Sequence, residues 1–253
     1  MLNEERQREI IEILNRNGRV LVIDLAQRFQ TSQVTIRKDL EVLHAQGRIH
    51  RTHGGALPVR EGVLEDPTLL EKEKLHRKEK LQIARAAARM VSEGQVVLLD
   101  SGTTTTAVAR ELRSFQNLTI ITNAVNIAAE LSGSSAEIIL TGGSLRKNSF
   151  SMVGPIAEET LHKLNADILF LGVDGFDVQY GISTPNLLEA KVNRAMMEVA
   201  KIVVAVCDSS KFGKRSLSQI GPTNAVHHLI TDKGIPQADL TALKRAGVEV
   251  TVV

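Results

Sequence analysis

The stretch LDSGTTTTAVA, at residues 99–109, brings together groups that could bind an anion. An apolar strand pattern ends there, a glycine allows a tight turn, and the threonines begin a helical pattern. The first backbone amides of a helix lack partners within the helix, and the helix dipole favours a negative charge beside them. A plain turn with one threonine cap is the simpler interpretation, but four consecutive threonines exceed what a cap needs. The donors expected at a phosphate are Ser101, Gly102, Thr103, Thr104 and Thr105.

Three more apolar strand patterns end in glycines or charged residues, in the stretches ILTGGSL, LGVDGFD and VCDSSKFG. Open α/β sheets bind ligands at the carboxyl ends of their strands, so these stretches are expected to converge. Carboxylates suit the hydroxyls of a sugar, and a lysine suits a phosphate. Each acid taken singly is more often a loop cap than a ligand group, but together they predict a phosphosugar site. The residues concerned are Gly142, Gly143, Arg146, Asp174, Asp177, Asp208 and Lys211.

The stretch TSQVTIRKDLEVLHAQGRIHRTHGG, at residues 31–55, predicts a second chemistry, the recognition of a nucleic acid. Ser32 can cap a helix at its start. The inner stripe of that helix consists of Ile36, Leu40 and Leu43, spaced i, i+4 and i+7. The opposite face is polar and basic near the N-terminal end, which is the end of a recognition helix that meets the base edges.

Side-chain chemistry and local charge support this interpretation. Arginine and glutamine are suited to reading guanine and adenine, whereas lysine and threonine mostly anchor phosphates. Between residues 37 and 60 there are five Lys and Arg against two acids, an excess that suits a polyanion. A solvated helix face with a basic loop is the weaker alternative. The residues expected to contact DNA are Ser32, Gln33, Thr35, Arg37 and Lys38 on the helix and Arg48, His50, Arg51 and His53 on the wing.

Apolar periodicity predicts the elements that position these groups. Short helices at 3–16 and 22–29 precede the capped helix, and a two-stranded ribbon, the wing, follows it. Prolines, glycines and acids indicate a linker before a helix at about 74–91. Strand-like apolar runs then alternate with helices, which predicts a mostly parallel sheet covered on both faces. The expected domains are 1–57 for DNA binding, 58–73 as a linker and 74–253 for sensing a sugar phosphate.

Composition excludes several other classes of protein. The single cysteine, Cys207, allows no disulfide within the chain, so a reducing, cytoplasmic setting is expected. The charged N-terminus lacks the apolar core of a signal peptide, and no apolar run approaches the ~18 residues of a membrane span. The seven histidines show no metal-ligand spacing. We therefore expect no membrane, metal or other cofactor.

Seven motifs in order resemble the DeoR family of bacterial sugar-metabolism regulators. The seven follow the N-terminal stretch TIRKDLEVLHAQGRIHRTHGGAL, which shares the resemblance, and they are EK at 79–80, LDSGTTT, TNAVNIA, TGGSLR, LGVDGFD, GIST and DSSKFG. The chain looks most similar to repressors of amino-sugar pathways, of the AgaR type. The resemblance implies an α/β protein with an N-terminal winged helix-turn-helix and a C-terminal, mostly parallel effector domain similar to ribose-5-phosphate isomerase. It also implies operator DNA and a phosphorylated sugar or amino sugar as partners.

Two further expectations follow from this resemblance and from helix-turn-helix symmetry. The isomerase has a phosphate-site lysine 14 residues before the glycine that precedes its first strand, and Lys80 stands in that relation to Gly94. Lys80 therefore joins the expected effector site. Operators of helix-turn-helix proteins mirror protein symmetry, so a homo-oligomer, either a dimer or a tetramer, is expected.

A sugar-phosphate isomerase with a DNA-binding appendage is the alternative function. Isomerisation needs a base held over the substrate carbon. The lysine–glycine run and catalytic glutamate of the isomerase belong between VDGFD and KIVVAVCD, where this chain has YGISTPNLLEAKVNRAMMEVA. The glycine run is missing there, and Glu189 is the one plausible substitute. We interpret Glu189 as an effector-site or helix N-terminal residue, and the chain as a regulator, expected to be a repressor, that is not an enzyme.

Overall fold

The computed structural model describes residues 3–17, 19–52, 54–58 and 66–253. The chain divides into two compact units. The N-terminal unit comprises Met1–Glu61 with Lys74–His76, and the C-terminal unit comprises Gly62–Glu73 with Arg77–Val253. The predicted DNA contact His53 and residues 59–65 of the predicted linker lie outside the described residues.

The N-terminal unit is a three-helix cluster with a small antiparallel sheet, so the predicted winged helix-turn-helix is confirmed. Its strands lie in the order β1-β3-β2. The second wing strand begins at Gly55, where the predicted wing ended, and β1 adds a third strand that the sequence did not indicate. The elements are α1 (Asn3–Asn17), β1 (Val20–Leu21), α2 (Val22–Arg28), α3 (Gln33–Ala45), β2 (Ile49–Thr52) and β3 (Gly55–Pro58).

The predicted stripe of α3 forms the centre of this unit. Ile36, Leu40 and Leu43 are fully buried and pack in one apolar cluster with α1 and α2. The helix starts where Ser32 accepts a hydrogen bond from the Thr35 amide at 3.1 Å. It ends before Gly47, whose φ of +68° lies in the left-handed region that glycine adopts without strain. Burial of the stripe leaves the opposite face of α3 to solvent.

The C-terminal unit alternates helices and strands along the chain. Its helices are α4 (Leu69–Glu73), α5 (Arg77–Ala88), α6 (Thr103–Leu112), α7 (Val125–Leu131), α8 (Pro155–Leu161), α9 (Leu187–Val199) and α10 (Gln237–Arg245). Its strands are β4 (Val96–Leu99), β5 (Thr119–Thr122), β6 (Glu137–Leu140), β7 (Ser144–Arg146), β8 (Ser151–Val153), β9 (Ala166–Gly172), β10 (Gly175–Asp177), β11 (Gly181–Thr184), β12 (Ala200–Val206), β13 (Ser218–Gly221), β14 (His228–Thr231) and β15 (Glu249–Val252).

Seven of these strands form one sheet in the order β15-β14-β12-β9-β4-β5-β6. Every neighbouring pair in it is parallel. Alternate residues of β9 serve opposite faces, because Ile168 and Phe170 join the core under α5–α7 while Leu169 and Leu171 join the core under α8–α10. The predicted α/β class, with a mostly parallel sheet covered on both faces, is confirmed. All seven strands end at one side of the sheet, which we call the carboxyl edge.

Several short elements were missing from the sequence prediction. β7 pairs with β8, and β10, β11 and β13 form a separate antiparallel sheet. These strands have three or four residues and contain glycine, serine and charged residues, so they show no apolar run. The helix α4 falls inside the segment that was predicted as a linker, and α5 begins at Arg77 rather than at about residue 74.

Candidate functional site

The first turns of α3 present a solvent-facing polar surface. Gln33, Arg37 and Lys38 are exposed, whereas Thr35 is half-buried. The Ser32 hydroxyl is shared with the Thr35 hydroxyl at 2.9 Å as well as with its amide, so both side chains are engaged in starting the helix. Gln33 accepts from Arg37 at a long 3.4 Å, and this contact leaves the guanidinium available to another acceptor. The face is compatible with the predicted base-reading surface.

Val34 is a candidate contact that sequence reasoning missed. Its side chain is 72% exposed between Gln33 and Thr35, in the first turn of α3. Exposure of a branched apolar side chain there has no packing benefit. An apolar side chain at the start of a recognition helix is suited to the methyl group of thymine.

The two acids of the basic segment are both paired, and Asp39 is buried. Its carboxylate accepts from Arg6 Nε at 2.6 Å and from Gln7 Nε2 at 3.1 Å. Arg6 and Asp39 are 7% and 4% exposed, so the pair joins α1 to α3 inside the unit. The negative charge of Asp39 therefore faces away from the exposed basic surface, which the net count of charges did not reveal.

The wing residues differ in how exposed their side chains are and in whether they already have a partner. Arg48 is exposed, while the half-buried Arg51 donates to Glu41 of α3 at 2.7 Å. This exposed ion pair is screened by water, so DNA phosphate could replace Glu41 as the partner of Arg51. The side chain of His50 and the whole of His53 lie outside what the structure describes.

The carboxyl edge gathers the polar residues that follow the strands. Asp100 follows β4, Asp174 follows β9 after one residue, and Asp208 follows β12 after one residue. Because β4, β9 and β12 are adjacent in the sheet, these three carboxylates lie side by side. The predicted convergence of strand ends is present for Asp174 and Asp208, and it includes Asp100, which was not among the predicted residues.

The turn from β4 into α6 lies at the carboxyl edge, so the first residues of α6 are at this edge too. The carbonyl of Gly102 accepts from the hydroxyls of Thr105 at 3.0 Å and Thr106 at 2.6 Å. Thr104 and Thr105 are buried, whereas Ser101, Gly102 and Thr103 are half-buried. This arrangement favours the backbone amides of the turn, with Ser101 and Thr103, over the Thr105 hydroxyl as donors to an anion.

Lys72, on α4, was not among the predicted residues, and its ammonium group pairs with Asp174 at the carboxyl edge. Its Nζ donates to Asp174 Oδ1 at 2.6 Å, while Thr184 Oγ1 donates to the other carboxylate oxygen at 3.1 Å. Burial alone would lower the pKa of Lys72, but the Asp174 carboxylate, with Glu189 and Asp100 beyond it, raises that pKa above its ordinary value. Burial would raise the pKa of Asp174, but Lys72 and Lys211 lower it to about 2.

Lys80 and Lys211 are the predicted cations of the edge, and they lie near each other. Lys80 is 7% exposed and its Nζ donates to the Lys72 carbonyl at 2.6 Å. Burial lowers the pKa of Lys80 to about 8, the Asp208 carboxylate opposes this, and the charges of Lys211 and Lys72 add to it. The charges of Lys72 and Lys211 both act on Lys80, and positive charge gathered in this way attracts a divalent anion.

Glu189 and Arg146 form a second, adjoining cluster. Arg146 Nη1 donates to Glu189 Oε1 at 3.1 Å, and Arg146 Nη2 pairs with Asp66. The same Glu189 oxygen also accepts from the hydroxyls of Ser149 and, at 2.8 Å, Ser151. Three donors thus fix this carboxylate, which lies in the first turn of α9. A carboxylate held in this way can orient a ligand hydroxyl but is not a free base.

Asp100 is a buried acid between these two clusters. Burial raises its pKa well above the ordinary value, and the Glu189 and Asp174 carboxylates raise it further. The Asn193 amide nitrogen, in the orientation that satisfies both ends of the amide, donates to Asp100 Oδ1 at 3.1 Å. A protonated carboxyl here can donate a hydrogen bond as well as accept one.

The remaining predicted residues have roles in turns. Gly142 and Gly143 have φ of +72° and +115°, and a Cβ on Gly143 would lie 2.7 Å from the Val153 carbonyl. Asp177 lies at the end of the β10–β11 hairpin away from Asp174. Its carboxylate accepts from the amides of Gln179 and Tyr180 at 2.9 Å and from Arg215 at 2.7 Å. The structure therefore places Asp177 outside the group formed by Asp174, Lys72 and Lys80.

Sequence signals for the missed residues were weak. Asp100 directly follows the apolar run VVLL, so the rule that led to Asp174 and Asp208 could have found it. Asn193 lies one helical turn after Glu189 on the buried side of α9. Lys72 and Asp66 fall in the expected linker, and only tertiary structure brings them to the sheet. Among the described residues no helix is long and apolar enough to span a membrane.

Comparison with known proteins matches both units. A family model described as a DeoR-like helix-turn-helix domain matches residues 6–61, and one described as a DeoR C-terminal sensor domain matches residues 75–233. A protein of Escherichia coli O157:H7, named as an aga operon transcriptional repressor, is 42% identical over 98% of this chain and 93% of its own. The HTH-type transcriptional regulator GlpR of Haloferax volcanii is 39% identical over 99% of this chain and 98% of its own. Ribose 5-phosphate isomerase A from Methanocaldococcus jannaschii aligns over 54% of each chain, at 17% identity and a TM-score of 0.41.

Proposed function

The chain belongs to the DeoR family of transcriptional regulators, and we propose that it represses a sugar or amino-sugar catabolic operon and is released from its operator by a phosphorylated sugar. The helix-turn-helix unit supplies the DNA-binding function of the family.

The exposed face of α3 supports the DNA-binding part of the proposal. Arg37 is free to form a bidentate pair with guanine, and Gln33 is suited to adenine. Lys38 and the wing residue Arg48 are exposed cations that can anchor phosphates. The buried Arg6–Asp39 pair joins α1 to the side of α3 that faces the core, so it helps to hold the reading face in one orientation.

The single observation that carries the effector proposal is the meeting of Lys72, Lys80 and Lys211 at the carboxyl edge. Lys72 pairs with Asp174, Lys80 donates to the Lys72 carbonyl, and Lys211 lies in the short turn that Asp208 caps after β12. The start of α6 adds backbone donors at the same edge. Phosphate is the common sugar modification that needs such a concentration of positive charge, and the nearby carboxylates suit sugar hydroxyls.

Isomerase activity is the weaker alternative. A general base needs a carboxylate that is free to accept a substrate proton. Glu189 is fixed by Arg146 and two serine hydroxyls, and Asp174 is fixed by Lys72 and Thr184. The reported relatives are named as regulators rather than enzymes. A sensor that binds a sugar phosphate without converting it fits these groups better.

We further propose a homo-oligomer that binds two operator half-sites. A helix-turn-helix protein reads half-sites whose spacing reflects the symmetry of the protein. The name of the Escherichia coli relative refers to the aga operon, and together with the motif resemblance it supports an amino-sugar pathway for this chain.

The proposal is tested by an operator-release screen. The full-length protein is bound to operator-like duplex DNA at physiological salt, and sugar phosphates are added one at a time while a thermal-shift assay reports binding. We expect one phosphorylated sugar both to stabilise the protein and to release the DNA, and its unphosphorylated form to do neither. Lys211→Ala should retain operator binding and lose release. A protein that shows no preference for any operator-like sequence over random duplex would overturn the proposal.

A further inference from the structure

Asp232 is a buried carboxylate that fastens one loop of the carboxyl edge to the end of a neighbouring strand. It directly follows β14, which lies beside β12 in the central sheet, and it is 8% exposed. Its Oδ1 accepts a hydrogen bond from the Ser209 amide at 2.6 Å. Its Oδ2 accepts from the Ser209 hydroxyl at 2.8 Å and from the Gly234 amide at 2.9 Å. Asp232 thus holds both the backbone and the side chain of Ser209.

Ser209 begins the short turn that carries Lys211. Ser209–Lys211 form a single 3₁₀ turn, and Asp208 caps it by accepting from the Ser210 amide at 3.1 Å. The Lys211 amide donates to the Asp208 carbonyl at 3.1 Å, which closes the turn. A single turn has few hydrogen bonds of its own, so its placement depends on the contacts that fasten its ends. The contact of Ser209 with Asp232 fastens the first end.

The second end of the turn is fastened to β10. The ring of Phe212 stacks on the ring of Phe176, with centroids 5.4 Å apart, and the Gly213 amide donates to the Phe176 carbonyl at 3.0 Å. Side chains three residues apart lie on the same side of a 3₁₀ turn, so Ser209 and Phe212 share the side that faces the interior. Lys211 lies on a different side and is carried by a backbone that is held before and after it.

We propose that Asp232 is the positioning residue of Lys211: by clamping Ser209 to the end of β14, it fixes the backbone that presents the Lys211 ammonium to a phosphate. The inference rests on the proposed effector-sensing function and gives a role in it to a carboxylate that touches no ligand. A lysine side chain loses conformational freedom when it binds an anion. A backbone that is ordered before binding reduces this entropic cost.

The charge of Asp232 gives the proposal a direction that a simple electrostatic effect would not have. A carboxylate near an anion-binding group repels the anion, so removing it should strengthen phosphate binding by electrostatics alone. Removing Asp232 also leaves the Ser209 and Gly234 amides without their acceptor and releases the turn. If Asp232 positions Lys211, its removal therefore weakens phosphate binding although a negative charge is lost.

The test is a double-mutant cycle, measured by calorimetric titration of the full-length protein with inorganic phosphate. Asp232→Ala should weaken phosphate binding about three- to tenfold, the cost of ordering one long side chain. Lys211→Ala should weaken it at least as much. The double variant should bind no more weakly than Lys211→Ala, because Asp232 acts only through that lysine. Thermal unfolding of each variant shows that the protein compared is folded.

Asp167→Ala is the matched control. Asp167 also accepts from a backbone amide and also lies on the central sheet, where it contacts Val96 and Lys201. It is the second residue of β9, at the opposite end of the sheet from the carboxyl edge. Its removal should leave the affinity for phosphate unchanged.

Gly234→Ala tests the same clamp without changing any charge, and it serves if Asp232→Ala does not fold. Gly234 is exposed, and a Cβ added there would overlap the Ser209 hydroxyl and crowd the Asp232 carboxylate. The variant should weaken phosphate binding in the wild-type background and have no effect in the Lys211→Ala background.

Several results would overturn the inference. They are unchanged or tighter phosphate binding in Asp232→Ala or Gly234→Ala, a further loss when either is combined with Lys211→Ala, and an equal loss in Asp167→Ala. A Lys211→Ala variant that binds phosphate like the wild type, or a wild type that binds no inorganic phosphate, would overturn it too. The operator-release screen with the wild-type protein could still succeed in each of these cases, so the two proposals fail separately.

Discussion

The ammonium of Lys80 donates to the backbone carbonyl of Lys72 over 2.6 Å, and so joins α5 to the end of α4. The Lys80 side chain is buried, and burial lowers its pKa to about 8, with the charges of Lys211 and Lys72 contributing. Because this pKa lies below the ordinary value of 10.5, the buried ammonium costs stability below about pH 8. That cost is relieved as the pH rises from 8 towards 10.5.

Effector binding should weaken above about pH 8 if Lys80 binds the phosphate. The phosphate keeps its charge there, while Lys80 loses its proton, so affinity should fall by up to about tenfold per pH unit. In Lys80→Arg the guanidinium stays charged, and the fall between about pH 8 and 10 should disappear. Calorimetric titration with the effector across this pH range measures the affinity of the wild type and of Lys80→Arg. A wild-type affinity that stays constant to pH 10 would exclude Lys80 from the phosphate site.

The buried Arg6–Asp39 pair should contribute most of the electrostatic stability of the N-terminal unit. Asp39→Ala leaves Arg6 buried and unpaired, so we expect a loss of about 3–5 kcal/mol in the free energy of unfolding. Glu41→Ala, which breaks the exposed pair with Arg51 on the same helix, should cost below about 1 kcal/mol. Hydrogen exchange of the α1 and α3 amides in the full-length protein reports the difference. Similar hydrogen-exchange protection in the Asp39→Ala and Glu41→Ala variants would contradict a larger stabilising role for the buried pair.

Arg37 and Lys38 should affect DNA binding in different ways. Arg37→Ala should cost about 1–3 kcal/mol and relax specificity at one base pair, because it removes a base contact. Lys38→Ala should weaken all sequences alike and reduce the salt slope by about one unit, because it removes a phosphate contact. The two effects are separated by measuring the affinity of each variant for a library of single-base operator variants at two salt concentrations. Equal, sequence-independent losses would show that Arg37 reads no base.

Val34 should make an apolar contact with one thymine methyl group. Val34→Ser should weaken operator binding by about 1 kcal/mol at one A·T pair, and replacing that thymine by uracil should abolish the difference between variant and wild type. Val42→Ser is the matched control, since Val42 is exposed on the same helix but near its other end. A Val34→Ser loss that is the same on thymine and uracil operators would refute the contact.

Much of the fold could be predicted because its signals are local. The alternation of apolar strands and amphipathic helices predicted the parallel sheet, and the stripe Ile36, Leu40 and Leu43 predicted the buried face of α3. The strands β10, β11 and β13 could not be predicted in the same way. They are held by partners distant in the chain, as when Ile182 pairs with Gly221, and their own sequences carry little apolar periodicity.

The candidate site was predictable where the residues follow a strand of the central sheet. The rule that ligands bind at the carboxyl edge led to Asp174, Asp208 and Lys211, and would have led to Asp100. Lys72 could not be found, because a lysine in a stretch that resembles a linker gives no local sign of its position. Its contact with Asp174 spans 102 residues of sequence and exists only in the folded chain.

Reciprocal coupling between operator and effector tests the central claim most directly. If a sugar phosphate releases the repressor from DNA, then operator DNA must weaken sugar-phosphate binding by the same factor, on the order of 5–150-fold or 1–3 kcal/mol. The measurement is a calorimetric titration of the effector identified by the screen into the full-length protein, alone and in complex with operator duplex. We predict a weaker effector affinity for the complex, and a difference that matches the loss of operator affinity at saturating effector. Identical effector affinities in the two titrations would contradict the account, even if both ligands bind.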